Sequence, residues 1–382
     1  MSQPATQPNS RHAAHPEWIT RLDTPLVAAS TDALGRASLD GLTFAVKDNI
    51  DVSGVPTTAA CPDFAFVPEQ HATVVQRLLN SGASLMGKTN LDQFACGLNG
   101  TRSPYGAVPN AFNPLYVSGG SSSGSAYVVA TGQVDFALGT DTAGSGRVPA
   151  GLNNIVGFKP TRGRISAAGV LPAAQSVDVV SIFAGSVPLA WRVLMAASGY
   201  DERDPYSRSA QDLPWRIQPF ARTPRVGVPD VLEFYGDEVA KVAFEASLER
   251  LCQLGAQLVR IPYAPLARAA DLLYGSALVA ERHAAIRPFF EAFEDSVIEP
   301  VRSIIGQSRR FSAADVFEAQ LTLRQIEQEV RPMWQKMDFM VGPTTTTHVR
   351  IADMQKDPVE LNRRLGYYTN FVNLLDYAAL SV

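Results

Sequence analysis

Cysteine and histidine are scarce in this chain, three and five among 382 residues. Cys61, Cys96 and Cys252 form no Cys-x-x-Cys pair and cannot all pair with one another, so a disulfide framework is excluded and a reduced, cytoplasmic setting fits. The histidines at 12, 15, 71, 283 and 348 lack the close ligand spacing of a zinc site, so no metal is expected. A long apolar run is missing too. The longest charge-free stretch, 103–134, is rich in Gly, Ser, Pro and Asn, a composition no membrane-spanning helix has. Nor is there an excess of positive charge. With 33 Lys and Arg against 37 Asp and Glu the net charge is -4, which argues against nucleic acid or an anionic membrane as partner. Residues 1–16 have no apolar segment of a secretory signal and read as a disordered N-terminal arm.

What is present is enough apolar sequence for a sizeable core, 46% against 18% charged residues. The run 42–46 reads as a strand. Val74, Val75, Leu78 and Leu79 mark one face of a helix over 71–82 that Gly82 ends, and 83–86 reads as the next strand, followed by a polar loop. A helix is expected from Ser123 to Thr131 and a buried strand over 136–139. Further helices are expected at 187–198, 237–254, 266–292 and 312–336, and strands at 225–228, 256–261 and 338–342. This alternation implies an α/β fold with a largely parallel core, in which ligands gather at strand carboxyl ends. No repeat or composition break divides it, so one large domain over 17–382 is favoured, with 200–224 as a charged surface excursion or a soft boundary.

Two loops stand out, Gly119-Gly-Ser-Ser-Ser-Gly-Ser125 and Asp141-Thr-Ala-Gly-Ser-Gly-Arg147, in a region poor in charge. A flexible linker would not sit between the apolar runs 126–130 and 136–138. The first loop lacks the Gly-Lys-Ser/Thr ending of a phosphate loop and the GxGxxG spacing of a dinucleotide turn. A Gly-rich bend into a helix can still aim N–H donors at an oxyanion, which favours acyl transfer. With no GxSxG elbow and no suitably flanked histidine, the base for a serine nucleophile could be a lysine held neutral. Lowering a lysine from ~10.4 to near 7 costs about 4–5 kcal/mol, so burial must supply it. Lys47, at the end of the 42–46 strand, is best placed, although an ordinary strand-end lysine remains the open alternative from the residues alone.

Five ordered motifs resemble the amidase signature family: Lys47-Asp-Asn-Ile50, Gly87-Lys-Thr-Asn-Leu-Asp-Gln-Phe94, Gly119-Gly-Ser-Ser122, Asp141-Thr-Ala-Gly-Ser-Gly-Arg-Val-Pro-Ala150 and Gly157-Phe-Lys-Pro-Thr-Arg-Gly163. The resemblance covers roughly 17–382. It implies a large mixed, mostly parallel central sheet covered by helices on both faces, and catalysis without metal or cofactor. It also implies Ser145 as nucleophile, Ser121 as a bridging serine after a cis Gly120–Ser121 peptide, and Lys47 as base. Backbone N–H groups of Thr142, Ala143, Gly144 and Ser145 would form the oxyanion hole, with Gly120 against the substrate and Asp141 and Arg147 organising the loop. A homodimer acting on a small amide is implied as well. The family usually continues past the core-like run 370–382, so the resemblance also implies a domain cut short at its C-terminal end.

Ala143 and Gly146 depart from the family's commonest Gly-Gly-Ser-Ile-Arg. That form, and Leu273-Tyr-Gly-Ser-Ala-Leu-Val-Ala-Glu-Arg282, resemble the allophanate-hydrolysing branch. By this resemblance Tyr274 and Arg282 hold a substrate carboxylate, and both can face one pocket if 266–292 is one helix. The plainer alternative is a helix-surface arginine paired with Glu281 and a packed tyrosine. Rival functions are a broad-specificity aliphatic amidase, a glutamine-amide subunit of a tRNA amidotransferase and a non-catalytic binding protein.

Overall fold

The structure, a computed structural model, describes residues 15–28, 38–209, 211–213, 220 and 222–382. Most of the arm expected at 1–16 lies outside the described residues. Ten strands are found there: β1 Trp18–Leu26, β2 Thr43–Lys47, β3 Ser84–Thr89, β4 Phe136–Asp141, β5 Val156–Lys159, β6 Val179–Ala184, β7 Arg225–Pro229, β8 Gln257–Ile261, β9 Phe339–Met340 and β10 Ala379–Ser381. Seven form a sheet in the order β1-β3-β2-β4-β6-β5-β10, and three a smaller sheet in the order β8-β7-β9. β2 pairs in parallel with both β3 and β4, whereas β1–β3, β4–β6, β5–β6 and β5–β10 are antiparallel. Thus β2, β3, β4 and β5 share one direction in a mixed sheet. The smaller sheet is wholly parallel.

Alternation along the strands explains the layers. Phe44, Val46, Phe136, Leu138 and Ile182 face one side, where they pack with Val75 and Leu78 of helix Thr73–Asn80 and Val193 and Leu194 of helix Val187–Ala197. Ala45, Ala137 and Phe183 face the other side, against Ala126, Val128 and Val129 of helix Ser123–Ala130. The period of two thus gives β2, β4 and β6 two buried faces, and helices cover both. Phe44 and Phe136, partners in the β2–β4 register, stack at 5.3 Å.

Three expectations need correction. Gly87, Lys88 and Thr89, read as loop, complete β3. The strand passes so close to β1 that a Cβ on Gly87 would lie 2.3 Å from Thr20 O. The helix expected at 266–292 is broken into Ala264–Gly275 and Ala280–Ala292. Between them Ser276 is extended and its hydroxyl accepts from Leu278 N at 3.3 Å, starting the 3-10 turn Ala277–Val279. The expected helix at 312–336 likewise ends at Val330 and tightens into a 3-10 turn where Pro332 enters. Of the excursion at 200–224, residues 210, 214–219 and 221 lie outside the description. Its start is tied down, with Asp204 accepting from Ala167 N at 2.8 Å.

Candidate active site

Lys47 ends β2 and Thr140 lies near the end of the neighbouring β4, so both side chains arrive at the carboxyl edge of the parallel strands. Lys47 Nζ donates to Ser121 Oγ and to Thr140 Oγ1, each at 2.7 Å. The lysine is fully buried, and burial pushes its pKa down to about 7. The carboxylates of Asp178, Asp92 and Asp141 pull it upward, while Arg282 adds to the lowering. A lysine in this state is half-deprotonated near neutrality.

Ser121 enters the turn before helix Ser123–Ala130, and the Gly120–Ser121 peptide is cis. A Cβ on Gly120 would fall 2.2 Å from Asp92 Oδ2, so only glycine fits. Asp92 N donates to Ser121 O at 3.0 Å, and its carboxylate accepts from the N–H groups of Asn99 (3.2 Å), Gly100 (3.1 Å) and Arg102 (3.0 Å). Asp92 therefore joins the Ser121 turn to the 97–102 loop.

Ser145 sits between β4 and the short helix Val148–Leu152. Asp141 shapes this loop by accepting from Gly146 N at 3.0 Å and from Arg147 Nε and Nη2 at 2.8 and 2.9 Å. Burial works against ionising Asp141, but the Arg147 guanidinium, the Lys159 charge and the Gly146 N–H together outweigh it and hold the carboxyl below its usual range. Arg147 also donates to Thr369 O at 3.1 Å and to Asn373 Oδ1 at 2.7 Å. With the loop curled in this way, the N–H groups of Thr142, Ala143, Gly144 and Ser145 donate to no acceptor among the described residues. Gly144 has φ +143, and a Cβ there would meet Thr369 Oγ1 at 2.3 Å. A Cβ on Gly146 would lie 2.4 Å from Ser181 Cβ on β6, which explains glycine at that unusual position. Ser145 Oγ donates to Gly97 O at 3.4 Å and not to Ser121.

Tyr274 and Arg282 stand on different helices, and the break at Ser276 brings them face to face. Arg282 Nη2 donates to Tyr274 Oη at 2.9 Å, with the guanidinium 4.9 Å from the ring centre. Arg282 is buried, and its Nε and Nη1 have no hydrogen-bond partner among the described residues. Glu281, the alternative partner, is engaged elsewhere, accepting from Ser176 N and Oγ at 2.6 Å each. A cavity of about 180 Å³ opens beside Tyr274, lined also by Leu98, Arg102, Asn362 and Asn370.

Sequence reasoning left three residues without a role. Thr140 and Asp92 lay inside or beside the recognised motifs, so their position was the available signal. Asp178, half-buried, accepts from Thr142 Oγ1 at 2.5 Å and from Ala173 N and Ala174 N at 2.7 and 3.1 Å. Its signal was a lone acid directly before the apolar strand β6. No cluster of three or more metal-binding side chains occurs among the described residues, and no helix there is long and apolar enough to cross a membrane.

A family model described as Amidase matches residues 22–382. The chain belongs to the amidase family. It is 46% identical over 347 residues to the urea amidolyase of Saccharomyces cerevisiae, covering 90% of this chain and 19% of that protein. An allophanate hydrolase structure from Kluyveromyces lactis superposes with a TM-score of 0.87 at 43% identity, covering 90% of this chain and 56% of that one. A glutamyl-tRNA(Gln) amidotransferase component from Latilactobacillus sakei is 34% identical, covering 85% of this chain and 72% of that protein. The chain thus spans about a fifth of the urea amidolyase and little more than half of the allophanate hydrolase.

Proposed function

We propose that this amidase hydrolyses the terminal amide of allophanate, a small urea carboxylate, releasing ammonia and N-carboxycarbamate. The observation that carries the reading is the buried Arg282, whose Nε and Nη1 lack partners among the described residues and whose charge acts on Lys47. Buried guanidinium donors left unpaired are costly, and a substrate carboxylate can accept from Nε or from Nη1, in either case beside the second N–H of Nη2. Tyr274 Oη adds a further polar contact.

In this reading Ser145 is the nucleophile, Ser121 the bridge and Lys47 the base. Rotation of the Ser145 side chain away from Gly97 O brings Oγ toward Ser121. Neutral Lys47 takes the Ser121 proton, Ser121 takes that of Ser145, and Ser145 Oγ attacks the amide carbon. The free N–H groups of Thr142, Ala143, Gly144 and Ser145 bind the oxyanion, each donor being worth about 3–4 kcal/mol. The backbone of Gly120, beside Ser121, lies against the substrate in this reading. The relay returns the proton to the departing ammonia, and water then cleaves the acyl-enzyme. Residues 17–382 act as the amidase domain. A homodimer and a cytoplasmic location belong to the same reading, the latter supported by free buried thiols at Cys61 and Cys96.

The test is ammonia release from allophanate, malonamate, biuret, glutamine and a neutral aliphatic amide. Allophanate turns over fastest in this reading. A preference for glutamine would favour the amidotransferase-like alternative, and a preference for the neutral amide a broad-specificity amidase. No release from any of them would leave only a binding role.

A further inference from the structure

Asp178 takes no part in the relay, yet it touches the site in two ways. Its carboxylate receives the Thr142 hydroxyl at 2.5 Å, and Thr142 begins the run of free N–H groups that leads to Ser145. The same carboxylate receives Ala173 N and Ala174 N, so it fastens that run to the segment entering β6. It is also the leading carboxylate acting on Lys47. The groups that act on Lys47 are Asp178, Asp92 and Asp141, which favour its ammonium form, and Arg282, which opposes it. Asp92 is committed to the N–H groups of the 97–102 loop, and Asp141 is gripped on both oxygens by Arg147. Asp178 has no such salt bridge among the described residues.

We propose that Asp178 is a positioning residue for the reaction, anchoring the donor run through Thr142 and setting by its charge the pH at which Lys47 becomes a base. Burial pushes its own carboxyl up to about 6, partly offset by the Thr142 and Ala173 hydrogen bonds and by Arg282, so it is largely ionised where Lys47 titrates. Removing that negative charge leaves the Lys47 ammonium less stabilised. Lys47 then loses its proton at lower pH.

The inference rests on the Ser145, Ser121 and Lys47 roles proposed above but not on the identity of the amide. A fluorophosphonate probe tests it without a substrate. Ser145 Oγ bonds to phosphorus, fluoride leaves, and the hydroxyl proton passes through Ser121 to Lys47. The labelling rate of Ser145, read by mass spectrometry across roughly pH 5–9, rises along an acid limb as Lys47 deprotonates. Asp178→Asn moves this limb down by about one pH unit. Thr142→Val keeps the charge, so the limb stays and the plateau rate falls about threefold to tenfold. If the Asn variant does not fold, Asp178→Glu, which keeps the charge on a longer arm, holds the limb while lowering the plateau. An unmoved limb in folded Asp178→Asn, or a limb moved downward in Asp178→Glu, overturns the proposal. A wild-type chain that is never labelled overturns the serine relay and the proposal with it, whereas normal labelling without allophanate turnover counts only against the substrate.

Discussion

Around Ser145 the charged side chains have fixed protein partners. Lys47 is bonded to Ser121 and Thr140, and Asp141 is held on both oxygens by Arg147. Around Arg282 the wiring is open. Nη2 has Tyr274, while Nε and Nη1 have nothing among the described residues. The two corners differ in local architecture as well. The first is built from strand ends and glycine-rich turns, where a backbone fixes each atom. The second is built across a helix break, where two side chains meet. A reacting group gains from preorganisation before substrate arrives, whereas a recognition group gains from leaving its donors for the ligand. In the proposed function one corner carries the chemistry, and the other keeps unpaired donors for a substrate carboxylate.

Substitutions should separate the two. At the wired corner Ser145→Ala lowers ammonia release by at least about 10⁴-fold on every amide, with an unchanged melting temperature. Activity lost on carboxylated amides alone would erase the contrast. Lys47→Met costs about 10³-fold in turnover and also changes how stability follows pH. The folded lysine is neutral above about 7. In the unfolded chain it stays protonated up to ~10.4, so the unfolded state binds more protons between those values and stability rises with pH there. The penalty, about 5 kcal/mol, is present in full below about pH 7 and is relieved as pH climbs. Denaturant titrations at pH 7 and 9 should therefore show a smaller rise in Lys47→Met than in wild type. The remaining rise belongs in part to Lys159, which burial lowers to about 8. Equal rises would argue that Lys47 is not held neutral. At the open corner, Tyr274→Phe has the smallest effect, about threefold to tenfold in kcat/KM for a carboxylated amide and none for a neutral one.

The reach of sequence reasoning follows the same division. The β2, β3 and β4 strands and the helices between them were legible because their apolar period and terminal glycines are local. So were the two serine loops, whose chemistry is carried by short contiguous runs. β1 was hidden because charged and exposed residues interrupt it, and β10 because it is three residues long. The helix break was hidden because the apolar period continues across it, and only the Ser276 side chain, turned back onto Leu278 N, reveals it. The pairing of Tyr274 with Arg282 was anticipated on one continuous helix. The structure joins them across two helices. Asp178 could not be assigned because its partner Thr142 meets it only when β6 lies along β4.

The division itself is tested most directly by Arg282→Ala. The measurement is kcat/KM for allophanate and for an uncharged amide such as malonamide, on the same preparations. The account predicts a loss of about 10²–10³-fold on allophanate, the usual cost of removing one partner of a buried charge pair, with little change on the neutral amide. Equal losses on both substrates would contradict it and make Arg282 a support of the fold.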